Sequence, residues 1–134
     1  MLGVAGASAA SAWTFATRSA PLRVYSAGTL AGQGAGALSQ TGGSTAQLTT
    51  SLTDNKRNGY RTFIEVFGTT KVAGTSYTTS GQTGRRSDGE AAWATMAPKT
   101  LYGTYIGGYR FQVKVCEDHR LTPDFCSAIE LGSL

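Results

Sequence analysis

The clearest alternation of apolar and polar positions lies near the end of the chain, in the segment YRFQVKVC at residues 109–116. Its odd positions are aromatic or β-branched, and its even positions are polar or cysteine. Because successive side chains of a strand point to opposite faces, this period of two predicts a half-buried strand. The short apolar segment SAIEL at 127–131 predicts a partner strand, so that the two would form a hairpin with a long connection.

Two further strands are predicted in the middle of the chain. QLTTSLT at 47–53 alternates like a half-buried strand, whereas YRTFIEVFG at 60–68 is apolar on both faces, which is typical of a central strand covered on both sides. Between them stands Asn58-Gly59, the dipeptide that most readily supplies the two positive φ angles of a type I′ turn. The sequence therefore predicts a hairpin that turns at Asn58-Gly59.

The region from 71 to 97 has a weaker pattern. KVAGTSYTTSGQTGRRSDGE at 71–90 contains β-forming residues interrupted by glycine turns and predicts one or two strands. EAAWATM at 90–96 leaves helix and strand open. Half a dozen short strands with Gly-rich turns predict an all-β fold over residues 47–134, either an antiparallel β-sandwich or a small barrel.

The N-terminal third has a different character. Residues 26–46 consist mainly of Gly, Ala, Ser, Thr and Gln, and such a segment buries too little apolar surface to offset the entropy of ordering. Residues 13–25 are more apolar but are interrupted by Pro21, which cannot donate to a sheet. We therefore predict a flexible Gly-rich arm over 13–46 with a possible edge strand. Its candidate partner-binding side chains are the apolar ones, Trp13, Phe15, Leu22, Val24 and Tyr25.

The first twelve residues, MLGVAGASAASA, are small and uncharged. They end in Ala10-Ser11-Ala12, which has the small-x-small form that signal peptidase accepts. We interpret residues 1–12 as the remnant of a signal peptide and place the mature start at Trp13. The protein is accordingly expected to be secreted.

The two cysteines agree with export. Cys116 and Cys126 flank the segment EDHRLTPDF, and they are too far apart for a CxxC redox site and too few for a structural zinc site. We predict a disulfide between them, which would stabilise the fold by about 2–3 kcal/mol through the unfolded chain. Two reduced, buried thiols are the alternative.

Length and charge narrow the class of protein. The chain has 134 residues, 40% of them hydrophobic, which is enough for one ordinary domain with its own core. The net charge of +4 is spread along the chain in single residues and pairs. A nucleic-acid site needs a concentrated basic footprint, so we attribute this charge to solubility and expect no nucleic-acid partner. No apolar run approaches the length that spans a bilayer, so no membrane insertion is expected.

Residues suited to catalysis or metal binding are sparse. His119 is the single histidine and lies beside Asp118, but no GxSxG nucleophile motif accompanies it. Glu117, Asp118, His119 and Asp124 could face a cation, yet their spacing matches no calcium or zinc motif. We therefore predict a non-enzymatic protein without metal or cofactor. Its many Tyr and Trp residues are instead of the types enriched at protein interfaces.

One motif carries a resemblance to a known group. The C-terminal segment reads RFQVKVCED, then Pro123-Asp124, then Cys126. In this it resembles small secreted β-proteins of filamentous actinobacteria, a group that includes the adaptor subunit of umbrella toxin particles. The resemblance covers about the last half of the chain. It implies a non-catalytic connector whose N-terminal extension docks in a cleft of a lectin-bearing partner, and residues 13–25 would be that extension.

Two functions follow as hypotheses. The first is a secreted adaptor that links other proteins of an extracellular assembly, such as a toxin particle, through its N-terminal arm and one sheet edge. The second is a secreted inhibitor or ligand-binding module that uses the disulfide-clamped loop 117–125, with Arg120 and Leu121 near the tip. A rigid loop loses less entropy on binding, which favours such use. A small hydrolase built on His119 ranks last, and the pattern predicts no oligomeric state.

Overall fold

The computed structural model describes residues 11–104, 106–119 and 123–134, which fold into two antiparallel β-sheets packed face to face. Neither sheet closes on itself, so the predicted all-β fold is confirmed in its sandwich form. In chain order the strands are β1 (Ala12–Ala16), β2 (Leu22–Ser26), β3 (Thr29–Gln40), β4 (Thr45–Asp54), β5 (Thr62–Val72), β6 (Thr75–Gln82), β7 (Ala94–Thr95), β8 (Lys99–Tyr102), β9 (Arg110–Glu117) and β10 (Phe125–Ser133). A 3₁₀ helix, Ile106–Gly108, precedes β9.

The first sheet is built on the long pair β3 and β4. β1 and β2 lie one after the other along the free side of β3, and β8 and β7 lie likewise along the free side of β4. Pro21 lies between the first two strands and Pro98 between the last two. Proline cannot donate a ladder hydrogen bond, which explains why each edge consists of two short strands.

The second sheet has the strand order β10-β9-β5-β6. β5 is an inner strand, as predicted, but its outer face is covered only in part. Phe63 is buried beneath the guanidinium of Arg85, whereas Phe67 remains 40% exposed. The C-terminal hairpin is confirmed by the pairing of β9 with β10, and so is the Cys116–Cys126 disulfide between them.

The hairpin predicted at Asn58-Gly59 is wrong. β4 and β5 belong to different sheets, so this segment crosses between sheets, and of the two residues only Gly59 has a positive φ, 81°. Two-residue turns of the I′ kind, with both central residues at positive φ, occur instead at Ala27-Gly28 and Ala73-Gly74. They connect strands that pair with each other, β2 with β3 and β5 with β6.

The flexible arm predicted over 13–46 is corrected by β3, an inner strand with buried Ala31, Ala35 and Leu38. Its small residues allow close packing. A Cβ at Gly34 would lie 2.7 Å from Ile64 Cδ1, and one at Gly36 would lie 2.2 Å from the Thr49 carbonyl oxygen. β3 has few large apolar residues because side chains of neighbouring strands, such as Ile64, occupy the space beside it. This part of the chain is therefore built into the sandwich.

Two open points of the sequence pattern are also resolved in part. Residues 90–96 contain a two-residue strand, β7, paired with β4. The proposed signal-peptide remnant falls mainly on residues 1–10, which lie outside the described residues, and β1 already begins at Ala12. In the described part of the chain, no helix has the length and apolarity needed to cross a bilayer.

Candidate functional site

Three connections meet at one end of the sandwich. We call this surface the loop end and define it as residues 55–61, 83–90, 117–119 and 123–125. Asn58 joins the first connection to the other two, since its backbone N–H donates to Asp88 and its side-chain amide donates to Glu117. Arg85 joins the second connection to the third through a 2.8 Å ion pair with Asp118. The loop end therefore brings together residues far apart in sequence.

The 118–124 connection is closed at its base. Cys116 and Cys126 lie directly opposite each other in the β9–β10 ladder and form the disulfide. Just beyond them, the His119 backbone N–H donates to Asp124 Oδ1 at 3.0 Å. The predicted clamp is thus present, with a second tie inside the loop. Arg120 and Leu121, the residues predicted near its tip, lie outside the described residues.

Glu117 is a fully buried carboxylate at the end of β9. One oxygen, Oε2, accepts a 2.8 Å hydrogen bond from Asn58 Nδ2, and the other, Oε1, lies 3.4 Å from His119 Nε2. A carboxylate taken out of water requires such partners. Glu117 therefore fixes both the crossover loop and the histidine ring.

An aromatic row crosses the loop end. The His119 ring stacks on Tyr60, with centroids 3.9 Å apart and planes 25° apart, and lies 6.3 Å from the Phe125 ring at an interplanar angle of 16°. Tyr60 is 39% exposed and Phe125 49% exposed. We call Tyr60, His119 and Phe125 the aromatic row. It offers apolar ring surface together with polar edges, a combination enriched at recognition surfaces.

Arg85 is held in one place on the loop end. Its Nε pairs with Asp118, its Nη1 donates to the Thr83 carbonyl at 2.9 Å, and its Nη2 donates to Gln82 at 3.1 Å. Its guanidinium carbon also lies 3.9 Å from the centre of the Phe63 ring, in cation–π geometry. With these contacts the guanidinium serves to order the surface.

Two aspartates support the loops from below. Buried Asp54 accepts hydrogen bonds from Thr62, through its N–H and its hydroxyl, and from the N–H of Gly89. Burial raises the pKa of Asp54 above 3.8, and these hydrogen bonds act in the opposite direction. Asp88 accepts from the N–H groups of Asn58 and Gly59. Both carboxylates thus bind backbone N–H groups and fix the loops.

The positions of Glu117, Asp118, His119 and Asp124 bear on the hypotheses that these residues act in catalysis or bind a metal ion. The carboxylate beside His119 is Glu117, whereas Asp118 faces Arg85. A histidine oriented by Asp118 is therefore not the observed arrangement. Asp124 binds the backbone of His119. Across residues 11–104, 106–119 and 123–134, no three His, Cys, Asp or Glu side chains are grouped to hold a metal ion.

The predicted arm residues lie elsewhere. Phe15, Leu22 and Val24 are buried in the chain's own core, Trp13 is half-buried beside Gly132, and only Tyr25 is widely exposed, at 49%. The interpretation of the first three as partner-binding anchors is corrected, because their apolar surface is already buried. Phe125 lies at the end of the predicted clamped loop 117–125, but the sequence pattern did not single it out as an exposed aromatic residue. Its position beside a disulfide cysteine and after Pro123-Asp124 was the available signal.

A second apolar surface lies on the outer face of the second sheet. Phe67, Gln112 and Leu131 stand side by side on β5, β9 and β10, and Leu131 is 68% exposed. Lys114 and Glu65 form a 3.4 Å ion pair in the next row. We call Phe67, Gln112 and Leu131 the outer strip. It borders a shallow groove of about 620 Å³.

Comparison of the chain with protein-family models, with curated proteins and with solved structures finds no match. The loop end and the outer strip are therefore the features that bear on function.

Proposed function

We propose that this protein is a secreted, non-enzymatic binding protein that links other proteins, with the loop end as its main recognition surface. One observation carries the proposal. Tyr60 and Phe125 of the aromatic row are exposed and His119 between them in the row is half-buried, yet the row rests on a base fixed by a disulfide and by buried Glu117. A surface ordered before binding loses less entropy when a partner arrives.

The contacts at the loop end support recognition over bond-breaking chemistry. The carboxylates of Asp54 and Asp88 bind backbone N–H groups, and Asp118 is paired with Arg85. A general acid or base must reach a substrate atom. Groups already engaged in fixing loops are suited to shaping a surface instead.

A linking role needs a second surface, and the outer strip supplies one. Gln112 at its centre precedes Glu117 of the loop end by five residues on β9, a distance of about 16 Å along a strand. Leu131 and Phe67 expose apolar area on both sides of Gln112. Two partners could therefore contact the same small domain without overlapping. The disulfide and the signal-like first residues support an extracellular setting.

The proposal is tested by separating the two surfaces. The wild-type protein and two double variants, Tyr60→Ala/Phe125→Ala and Phe67→Ser/Leu131→Ser, are immobilised, and culture supernatant of the source organism is passed over each. We expect two different captured proteins, one lost with each double variant. Tyr102→Ala, which removes a side chain 72% exposed on the first sheet, should retain both. Capture unaffected by either double variant would refute the proposal.

The same clamp also favours the inhibitor hypothesis, in which the loop inserts into an enzyme cleft. Here the disulfide and the His119–Asp124 hydrogen bond would hold the two ends of the loop together. The two functions can be told apart by whether the protein changes the activity of its partner. An inhibitor lowers the activity of a secreted hydrolase at stoichiometric amounts and loses that effect in Arg120→Ala, while Phe67→Ser/Leu131→Ser has no effect. A connector binds its partner without changing any catalytic rate.

A further inference from the structure

The outermost strands of the two sheets differ in how well they are protected. An exposed edge presents unpaired N–H and C=O groups, and proteins protect such edges with proline, bulges, charges or very short strands. The edge formed by β1 and β2 contains two register shifts and Pro21. The β7 and β8 edge has strands of two and four residues separated by Pro98. β10 has a register shift between Ser127 and Ile129 and carries Glu130.

β6 has none of these protections. It runs for eight residues, TSYTTSGQ, without a proline or a charged residue, and its pairing with β5 shows no register shift. Alternate residues of the strand are exposed: Ser76, Thr78, Ser80 and Gln82. Of the four outermost strand positions, β6 is therefore the one with a regular and neutral open edge.

The turn before β6 determines which backbone groups face outward. In a two-residue I′ hairpin the residues that flank the turn, here Val72 and Thr75, form a hydrogen-bonded pair, and such pairs alternate along the ladder. The N–H of Thr83 also donates to β5, at the Ile64 carbonyl, which continues the same alternation. The backbone groups that point away from β5 thus belong to even-numbered residues. Within the described residues, no backbone hydrogen bond to another segment involves them.

We propose that two copies of this chain associate through β6, edge to edge and antiparallel, so that their second sheets form one continuous sheet. When β6 pairs with a second β6, the outward backbone groups of the two strands meet, and the inner and outer side-chain faces of the two strands match. Outward-pointing residues must pair with each other, and core-facing residues must stay on one side. A register centred on Thr79 meets both conditions and uses all four outward residues of each copy.

The side chains in that register also fit. Thr78 lies opposite Ser80 of the second copy, and Thr and Ser hydroxyls across strands stabilise a sheet. On the inner face Tyr77 lies opposite Gly81, which has no side chain to obstruct the ring. Because β6 carries no charge, the two paired strands place no like charges opposite each other despite the net charge of +4. This neutrality is the reason to choose a second copy over an extended strand of another protein.

Such a dimer is independent of the proposed function. It is isologous, with the same strand contributed by both copies. In each copy the aromatic row stays away from the paired edges, because His119 and Phe125 lie beside β9, two strands away from β6.

The test is the oligomeric state of the full chain by sedimentation velocity, from about 1 µM to about 1 mM. We expect a monomer–dimer equilibrium. Thr78→Pro removes an outward N–H but no hydrogen bond to β5, and it should raise the dimer dissociation constant at least about tenfold, since two symmetric bonds are lost. Thr78→Ala, the matched variant, keeps the N–H and loses only the hydroxyl contact with Ser80, so it should raise the dissociation constant less than Thr78→Pro does. A wild-type monomer at every concentration, or a dimer insensitive to Thr78→Pro, would overturn the proposal.

Hydrogen exchange of the wild-type protein decides the case if Thr78→Pro fails to fold. In the dimer, the amides of Ser76, Thr78, Ser80 and Gln82 should exchange slowly at high concentration and quickly at low concentration. The amides of Tyr77, Thr79 and Gly81 should be protected at both concentrations. Exchange at the first four amides that does not depend on concentration would overturn edge pairing. Protection that appears only when another protein is added would do the same, and would assign the edge to that protein.

Discussion

β3 and β9 are both inner strands, each paired along both sides, yet they are built from opposite kinds of residue. The interior of β9 is filled by Phe111, Val113 and Val115, whereas β3 reads TLAGQGAGALSQ. Both lie in the core, and β3 contacts both β5 and β9 across the sandwich. The second sheet therefore supplies much of the volume that fills the interior, while β3 of the first sheet supplies the space.

The contacts at the glycines show how this space is used. Large side chains from two facing sheets interdigitate in an interior about 10 Å thick. Ile64 of β5 occupies the position where a Gly34 side chain would begin, and Thr62 does the same at Gly32. Small residues on β3 therefore have the same role in packing as large residues on β5 and β9.

The largest loss of stability is expected when a large core side chain of β9 is truncated. Phe111 is 1% exposed and stacks with Tyr109 at 5.9 Å. Phe111→Ala should lower the free energy of unfolding by about 3–5 kcal/mol, because it leaves a cavity. Urea denaturation measures the change. Phe67→Ala on the outer face is the control and should cost about 1 kcal/mol or less. Equal losses for the two would show that β9 does not fill the core as described.

A methyl group added on the β3 side should be the next most disruptive change. A Cβ at Gly36 would lie 2.2 Å from a backbone carbonyl oxygen, which cannot move aside as a flexible side chain can. Gly36→Ala should cost about 1–3 kcal/mol, at the upper end of that range, measured by urea denaturation. Gly43→Ala, where nothing lies within 4 Å, should change stability by no more than about 0.5 kcal/mol. If Gly36→Ala is as mild as Gly43→Ala, β3 does not approach its neighbours closely.

Complementarity between the two sheets can be measured directly at Gly34 and Ile64. Gly34→Ala creates a contact with the Ile64 Cδ1 methyl, and Ile64→Val removes that methyl. The double variant should be more stable than the sum of the single effects predicts, by about 0.5–3 kcal/mol in a double-mutant cycle. Strictly additive effects would mean that the two residues do not share the same space.

The smallest effect concerns the polar contact above Gly32. Asp54 Oδ2 accepts hydrogen bonds from Thr62, so this carboxylate joins the first sheet to the second. Since burial raises the Asp54 pKa, its protonation favours the folded state. That contribution is complete below the ordinary value of 3.8 and is lost as pH rises through the folded value. The stability of the wild type relative to Asp54→Asn should therefore increase between pH 7 and pH 4 in urea unfolding. A difference that shrinks on acidification would contradict the direction of the shift.

What the sequence predicts well is local. β9 and β10 follow from alternation and the disulfide from cysteine spacing, because each depends on neighbours within a few residues. β3 could not be predicted in this way, since the value of a glycine there depends on Ile64, thirty residues later. Asn58-Gly59 has the residues of a hairpin turn, but a hairpin also needs two flanking strands that pair, and β4 and β5 go to different sheets.

The loop end, too, could be predicted from the sequence only where it depends on local residues. The clamped loop and His119 were identified from the sequence. The residues that contact this loop were not. Tyr60, which stacks on His119, and Asn58, which donates to Glu117, come from the crossover between sheets, and Arg85, which pairs with Asp118, comes from the connection after β6. Tertiary contacts of this kind have no signature in a local pattern.

β3 belongs to the core as fully as β9 does. Native-state hydrogen exchange tests it most directly, by comparing the amides of Ala35 and Leu38 with that of Val113 in the same sample. We predict that all three exchange through global unfolding, with protection free energies that agree with each other and with urea denaturation. Amides of β3 that exchange as fast as those of an unfolded chain, while Val113 stays protected, would show that β3 is not part of the core.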